Sequence, residues 1–73
     1  MILRTQNREI FNLDLCYRIY CDAEGIYAQP ESGERYMDYL LGVYKTSERA
    51  TEILDEMFSS MKNGEKFFAM PKE

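Results

Sequence analysis

Residues 47–63 constrain the fold more than any other stretch of this chain. Ala50, Ile53, Leu54, Met57, Phe58 and Met61 recur at i, i+3, i+4, i+7, i+8 and i+11, a single apolar stripe at the 3.6-residue period of an α-helix. Glu48, Arg49, Glu52, Asp55, Glu56, Ser59 and Lys62 lie off the stripe. Thr46 or Ser47 can cap the start, because a hydroxyl accepts a hydrogen bond from an unpaired first-turn N–H. Asn63-Gly64 can end it, with Gly64 taking the left-handed position after the last turn. Glu48 and Glu52 near the start and Lys62 near the end suit the helix dipole. Such a helix is about 24 Å long and can cross four or five strands spaced about 4.8 Å apart. It needs a sheet to lie on, and the rest of the chain has to supply it.

Phe11 to Cys21 alternates with a period of two. Phe11, Leu13, Leu15, Tyr17, Ile19 and Cys21 share one parity, and Asn12, Asp14, Cys16, Arg18, Tyr20 and Asp22 share the other. That is the pattern of a half-buried antiparallel strand. Eleven residues is long for one strand, and Asn12 and Asp14 favour turns. We therefore expect two strands, about 8–13 and 15–22, with one long bent strand as the alternative. Asp22-Ala23-Glu24-Gly25 reads as a hairpin loop, with Gly25 supplying positive φ, returning the chain into a strand at 26–29 that Pro30 closes. Residues 30–34 form a polar loop. Residues 36–44 are apolar on both parities, which fits a central strand or one interrupted by a bulge. Gly42 is the natural bulge site, and a bulge there would turn both Leu41 and Tyr44 inward. Phe67 to Met70, stopped by Pro71, reads as a short edge strand or an extended tail packed on the core.

Size and charge narrow the function classes. A chain of 73 residues makes one domain at most, and buries about 60% of the surface its unfolded form exposes. Six Tyr and four Phe help so small a core. The net charge is −4, and the nine basic residues are scattered singly; both facts argue against nucleic acid and anionic membrane as partners. Met1-Ile2-Leu3 gives way at once to Arg4, Gln6 and Arg8, so no signal core is expected there. No apolar run approaches the roughly 20 residues of a membrane span. The chain reads as cytoplasmic. Cys16 and Cys21 are five apart, which in a continuous strand places them on opposite faces. We expect free thiols, with Cys16 outward.

The residues that could carry chemistry are few. There is no His, the commonest general acid–base group. Nothing near Cys16 marks an activated thiolate. Glu48, Glu52 and Glu56 stand a turn apart, as on any solvated helix face. No P-loop, GxGxxG, HExxH or EF-hand pattern occurs. No catalytic residue, cofactor or metal ligand is assigned, and the chain reads as non-enzymatic. Left over are tyrosines that the parity sends outward: Tyr20, and Tyr36 or Tyr39. Exposed rings on a sheet suit an interface, so these three are the candidate interface residues.

Ile2-Leu3-Arg4-Thr5-Gln6, Ile10-Phe11-Asn12-Leu13, Leu41-Gly42-Val43-Tyr44-Lys45-Thr46-Ser47-Glu48-Arg49-Ala50 and Phe68-Ala69-Met70-Pro71 together resemble a small uncharacterised family of prophage-like and mobile-element proteins of Gram-positive bacteria. The resemblance covers most of the chain and is poorest over 22–34. It implies strands, one helix and a final strand, and implies no activity.

The expectation is an α+β domain: an antiparallel sheet of five or six short strands, one amphipathic helix near the C-terminus, and a short final strand. Its expected role is a protein-interaction module, with a small acidic regulator of a basic protein surface as the alternative. One helix covers only one face of such a sheet. A homodimer would cover the other; the competing solution is a sheet curled at Gly42 with Phe67-Phe68 folded back.

Overall fold

Thr46 opens the helix. Its backbone is extended and its hydroxyl oxygen accepts from the N–H of Arg49 at 3.1 Å, so α1 runs Ser47–Lys62. It stops where Gly64 turns left-handed (φ 75°): the Gly64 N–H donates to the Met61 carbonyl and the Glu65 N–H to the Ser60 carbonyl, both at 3.0 Å, the paired bonds of a glycine-terminated helix. In this computed structural model residues 1–30 and 38–73 are described. The polar loop expected over 30–34, past Pro30, and the expected strand start at Tyr36 and Met37 lie outside them.

Among the described residues six strands accompany the helix: β1 Ile2–Arg4, β2 Ile10–Asn12, β3 Cys16–Asp22, β4 Gly25–Pro30, β5 Tyr39–Val43 and β6 Phe67–Ala69. The class is α+β, as expected. The strands form two three-stranded sheets, ordered β2-β1-β6 and β3-β4-β5, rather than one. The division falls at Asn12. Its side chain accepts from the N–H of Asp14 at 3.0 Å and starts a 3₁₀ turn over Leu13–Leu15, which ends one strand and redirects the next. In chain order the helix lies between β5 and β6; β6 runs parallel to β1, and the other pairs among the described residues are antiparallel.

Two bulges correct the simple alternation. In β3 the register shifts between Cys16, opposite Pro30, and Arg18, opposite Gln29. Tyr17 is the extra residue and points out, 73% exposed. Leu15, in the 3₁₀ turn, is also exposed. Neither joins the core face that strict alternation assigned them, because one inserted residue reverses the parity of the residues just before it, back to the 3₁₀ turn. In β5 Ile26 faces Gly42 and Tyr27 faces Leu40, so Leu41 is the inserted residue. Leu41 and Tyr44 are both buried, the outcome expected of a bulge at Gly42. The Tyr44 ring lies back over Gly42, where an added Cβ would come within 3.0 Å of the hydroxyl, and that hydroxyl donates to the Pro71 carbonyl at 2.8 Å.

The β3–β4 turn differs from expectation. Asp22 pairs with Gly25, and Ala23 carries the positive φ of 53°. Gly25 instead makes room for Tyr27, whose ring would lie 2.9 Å from a Cβ there.

The core lies between the inner faces of the two sheets and the helix. Leu3, Leu13, Ile26, Ala28, Leu41, Tyr44, Ala50, Ile53, Met57 and Met70 are buried, with Phe11, Ile19 and Phe68 packed against them. Phe68 thus folds back as one sequence reading had it, while Phe67 on the opposite face of β6 stays 70% exposed. Gln6 ties the sheets together. Its backbone N–H donates to the Leu41 carbonyl at 3.0 Å. Its side-chain amide accepts from the Val43 N–H at 2.8 Å and donates to the Val43 and Lys72 carbonyls, both at 2.9 Å. The amide therefore completes the edge of β5 as a neighbouring strand would.

Candidate functional site

The apolar stripe of α1 spans about 140° of the helix at 100° per residue, more than the sheet beneath can use. The helix packs over β3 and β4, and β3 is the edge of its sheet. Ala50, Ile53 and Met57 face inward and are buried. The other half of the stripe overhangs the edge: Leu54 is half-buried, Phe58 is 68% exposed and Met61 is 41% exposed. With Ile19 of β3 these side chains line an open groove of about 400 Å³, flanked by Asp55. Spacing alone puts Phe58 and Met61 on the same apolar stripe as the core residues Ile53 and Met57. The signal that separates them from Ile53 and Met57 is the width of the stripe, and it becomes readable only once the sheet is known to end at β3.

Of the sequence-derived interface residues, the two described, Tyr20 and Tyr39, do not come together. Tyr20 stands opposite Tyr27, which stands opposite Leu40, on the sheet face turned away from the helix. Its ring stacks on Tyr27 (centroids 5.5 Å, planes 24° apart) and lies under the Arg18 guanidinium at 4.4 Å, while Arg18 donates to Gln29 at 2.7 Å. The Tyr20 hydroxyl donates to Oδ2 of Asp38. That bond, followed by desolvation and the Asp38 charge, pushes the hydroxyl above the ordinary phenol range. Among the described residues Oδ1 of Asp38 is buried without a partner. Tyr39 lies opposite Ala28, hence on the other face from Tyr20, with its ring edge against Phe11 at 5.2 Å. Tyr36 is outside the described residues. Both described rings thus already hold partners within the chain.

Cys16 and Cys21 share the inner face, not opposite faces, because the Tyr17 bulge restores their parity. They align with Pro30 and Ile26, four residues or about 13 Å apart along the strand, well beyond the Cα separation a disulfide tolerates. Both are free thiols, and burial pushes that of Cys16 up. On the acidic helix face, Arg49 pairs with Glu52 at 3.1 Å and Glu56 at 3.4 Å. A wider depression of about 620 Å³ beside the helix start is lined by Glu24, Lys45, Arg49, Lys72 and Glu73 among others. Its charges are mixed, so it favours neither anion nor cation. Among the described residues no helix is long and apolar enough to cross a membrane.

No family model, curated protein or solved structure matches the chain.

Proposed function

We propose that this chain is a non-enzymatic protein-interaction module and that the groove edge formed by Ile19, Leu54, Phe58 and Met61 is its contact surface. The observation that carries the reading is Phe58, 68% exposed beside an open apolar groove. A ring of this type buries about 150–250 Å² when covered, and aromatic anchors next to pockets supply most of the energy of protein contacts. Tyr20 and Tyr39 serve this reading less well, since their rings are engaged by Tyr27, Arg18 and Phe11. A photoreactive phenylalanine at position 58, activated in cells of the native host, should give a discrete protein adduct, a second copy of the chain included. The same group at exposed Glu48 should not. Absence of any adduct at 58 refutes the reading.

The second reading, a small acidic regulator of a basic protein surface, draws on the net charge of −4 and on Glu48, Glu52 and Glu56. Arg49 already pairs with two of those carboxylates, which ranks it second. A cytoplasmic setting, expected from the lack of a signal core or membrane-length apolar run, and a bacterial, prophage-like origin, suggested by the resemblance, belong to the same proposal.

A further inference from the structure

We infer that the occupant of this groove is a second copy of the chain, docked helix against helix in antiparallel fashion about a two-fold axis beside Phe58. The inference rests on the interaction-module reading and names its partner.

Thr51, Leu54, Phe58 and Met61 follow one another at spacings of three, four and three, the spacing of a seam along which two helices pack knobs into holes. At 100° per residue Leu54 and Met61 lie about 40° and 60° to the core side of Phe58, next to Ile19. Asp55 and Lys62 lie about 60° and 40° to its solvent side. The exposed half of the stripe is therefore a seam with its own charged flank, separate from the half that Ala50, Ile53 and Met57 spend on the sheet.

The flank specifies the orientation. Asp55 and Lys62 are seven residues apart, on the same side of the helix and both exposed. Among the described residues neither takes part in an ion pair; the helix pairs all involve Arg49. An antiparallel crossing with the axis between positions 58 and 59 sets Asp55 across from the partner's Lys62, and Lys62 across from the partner's Asp55. A parallel crossing in register would set like charge at the same height as like charge. The antiparallel contact also places each Phe58 near the axis, against the partner's Phe58 and Met61. The two-fold makes knob and groove the same surface on both copies, as an isologous contact requires. The seam extends only about 10 Å along the helix from Asp55 to Lys62, so the dimer is a small one, concentration-dependent and weakened by salt.

Sedimentation of the full chain from low micromolar to near-millimolar concentration tests it. The mass should rise from one chain toward two. Phe58→Ser should weaken association on the order of thirtyfold, the effect of losing a central aromatic anchor, with the helical circular dichroism unchanged. Asp55→Lys and Lys62→Asp should each weaken it on the order of tenfold by facing like charges, and the double variant should recover the native behaviour. One-chain mass at every concentration, association indifferent to Phe58→Ser, or no recovery in the double variant would each overturn the antiparallel pair. If the chain stays monomeric while position 58 crosslinks to a different protein, this inference fails and the interaction-module reading stands. If position 58 crosslinks to nothing and the chain is monomeric, both fail.

Discussion

Replacing Gln6 tests the polar side chain that joins the edge of β5 to the C-terminal segment. Its amide accepts from the Val43 N–H at 2.8 Å and donates to the Val43 and Lys72 carbonyls at 2.9 Å, with a longer contact to the Pro71 carbonyl at 3.3 Å. An intramolecular hydrogen bond contributes a net of about 0.5–1.5 kcal/mol. Gln6 is only half-buried, so water recovers part of that on truncation. Three short bonds then suggest a loss of about 1–3 kcal/mol for Gln6→Ala. Stability scales at roughly 0.05–0.15 kcal/mol per residue, or about 4–11 kcal/mol for a chain of this length, so the loss is a large fraction of the total and is easily read from urea unfolding. Gln6→Glu sharpens the test. The carboxylate has no proton to donate and would face the carbonyls of Val43, Pro71 and Lys72, which disfavours the charged form in the folded state and raises its folded pKa above the unfolded value of about 4.3. For a raised carboxyl the folded state binds more protons, so stability falls as pH rises from the unfolded pKa to the folded one. Measured against the native chain at each pH, Gln6→Glu should therefore be worse than Gln6→Ala at neutral pH and recover toward the native chain near pH ~3.5, where a protonated carboxyl can donate again. The Gln6→Ala difference should not change with pH. A Gln6→Ala loss below about 0.5 kcal/mol, the scatter of ordinary surface substitutions, or a Gln6→Glu loss that ignores pH, would refute the role given to this amide.

Ile53→Ala should cost about 2–5 kcal/mol as a truncation in the core, and Glu52→Ala, beside it but exposed, should stay within about 0.5 kcal/mol; equal effects in denaturant would mean the helix is rotated. Leu54→Ala, at the half-buried margin of the groove, should fall between them. Intact-mass measurement without reductant should show no internal disulfide, and Cys16 should alkylate more slowly in the native chain than in denaturant, because burial raises its pKa and lowers its thiolate fraction; a mass two daltons low would contradict the strand register. Burial also raises the Tyr44 hydroxyl, so the folded state holds that proton longer and Tyr44 should make stability decline as pH rises past the unfolded phenol value of about 10. Tyr44→Phe, which gives up the bond to Pro71, should flatten the decline, and an unchanged slope would count against the buried phenol.

What the residues determine locally is legible without the fold. The helix is written in its stripe, its Thr46 cap and its Gly64 stop, since all three act through neighbours three to five positions away. The Asn12 turn and the bulge near Gly42 follow from short-range sterics and short-range hydrogen bonding, and they fell where the residues placed them. The parity of Leu15, Tyr17 and Cys16 did not, because the bulge in β3 lies in its pairing with β4, and one extra residue reverses the assignments back to the Leu13–Leu15 turn. The split into two sheets and the parallel seating of β6 on β1 depend on partners far along the chain, Ile2 pairing with Phe67. Tertiary structure alone gives Gln6 its partners, which lie 37 and 66 positions along the chain at Val43 and Lys72. It alone also divides the helical stripe into a buried half and an exposed half. Apolar spacing tells which residues leave water if something is there to cover them; only the width of the described sheet, ending at β3, decides that Phe58 stays mostly exposed and Met61 partly so.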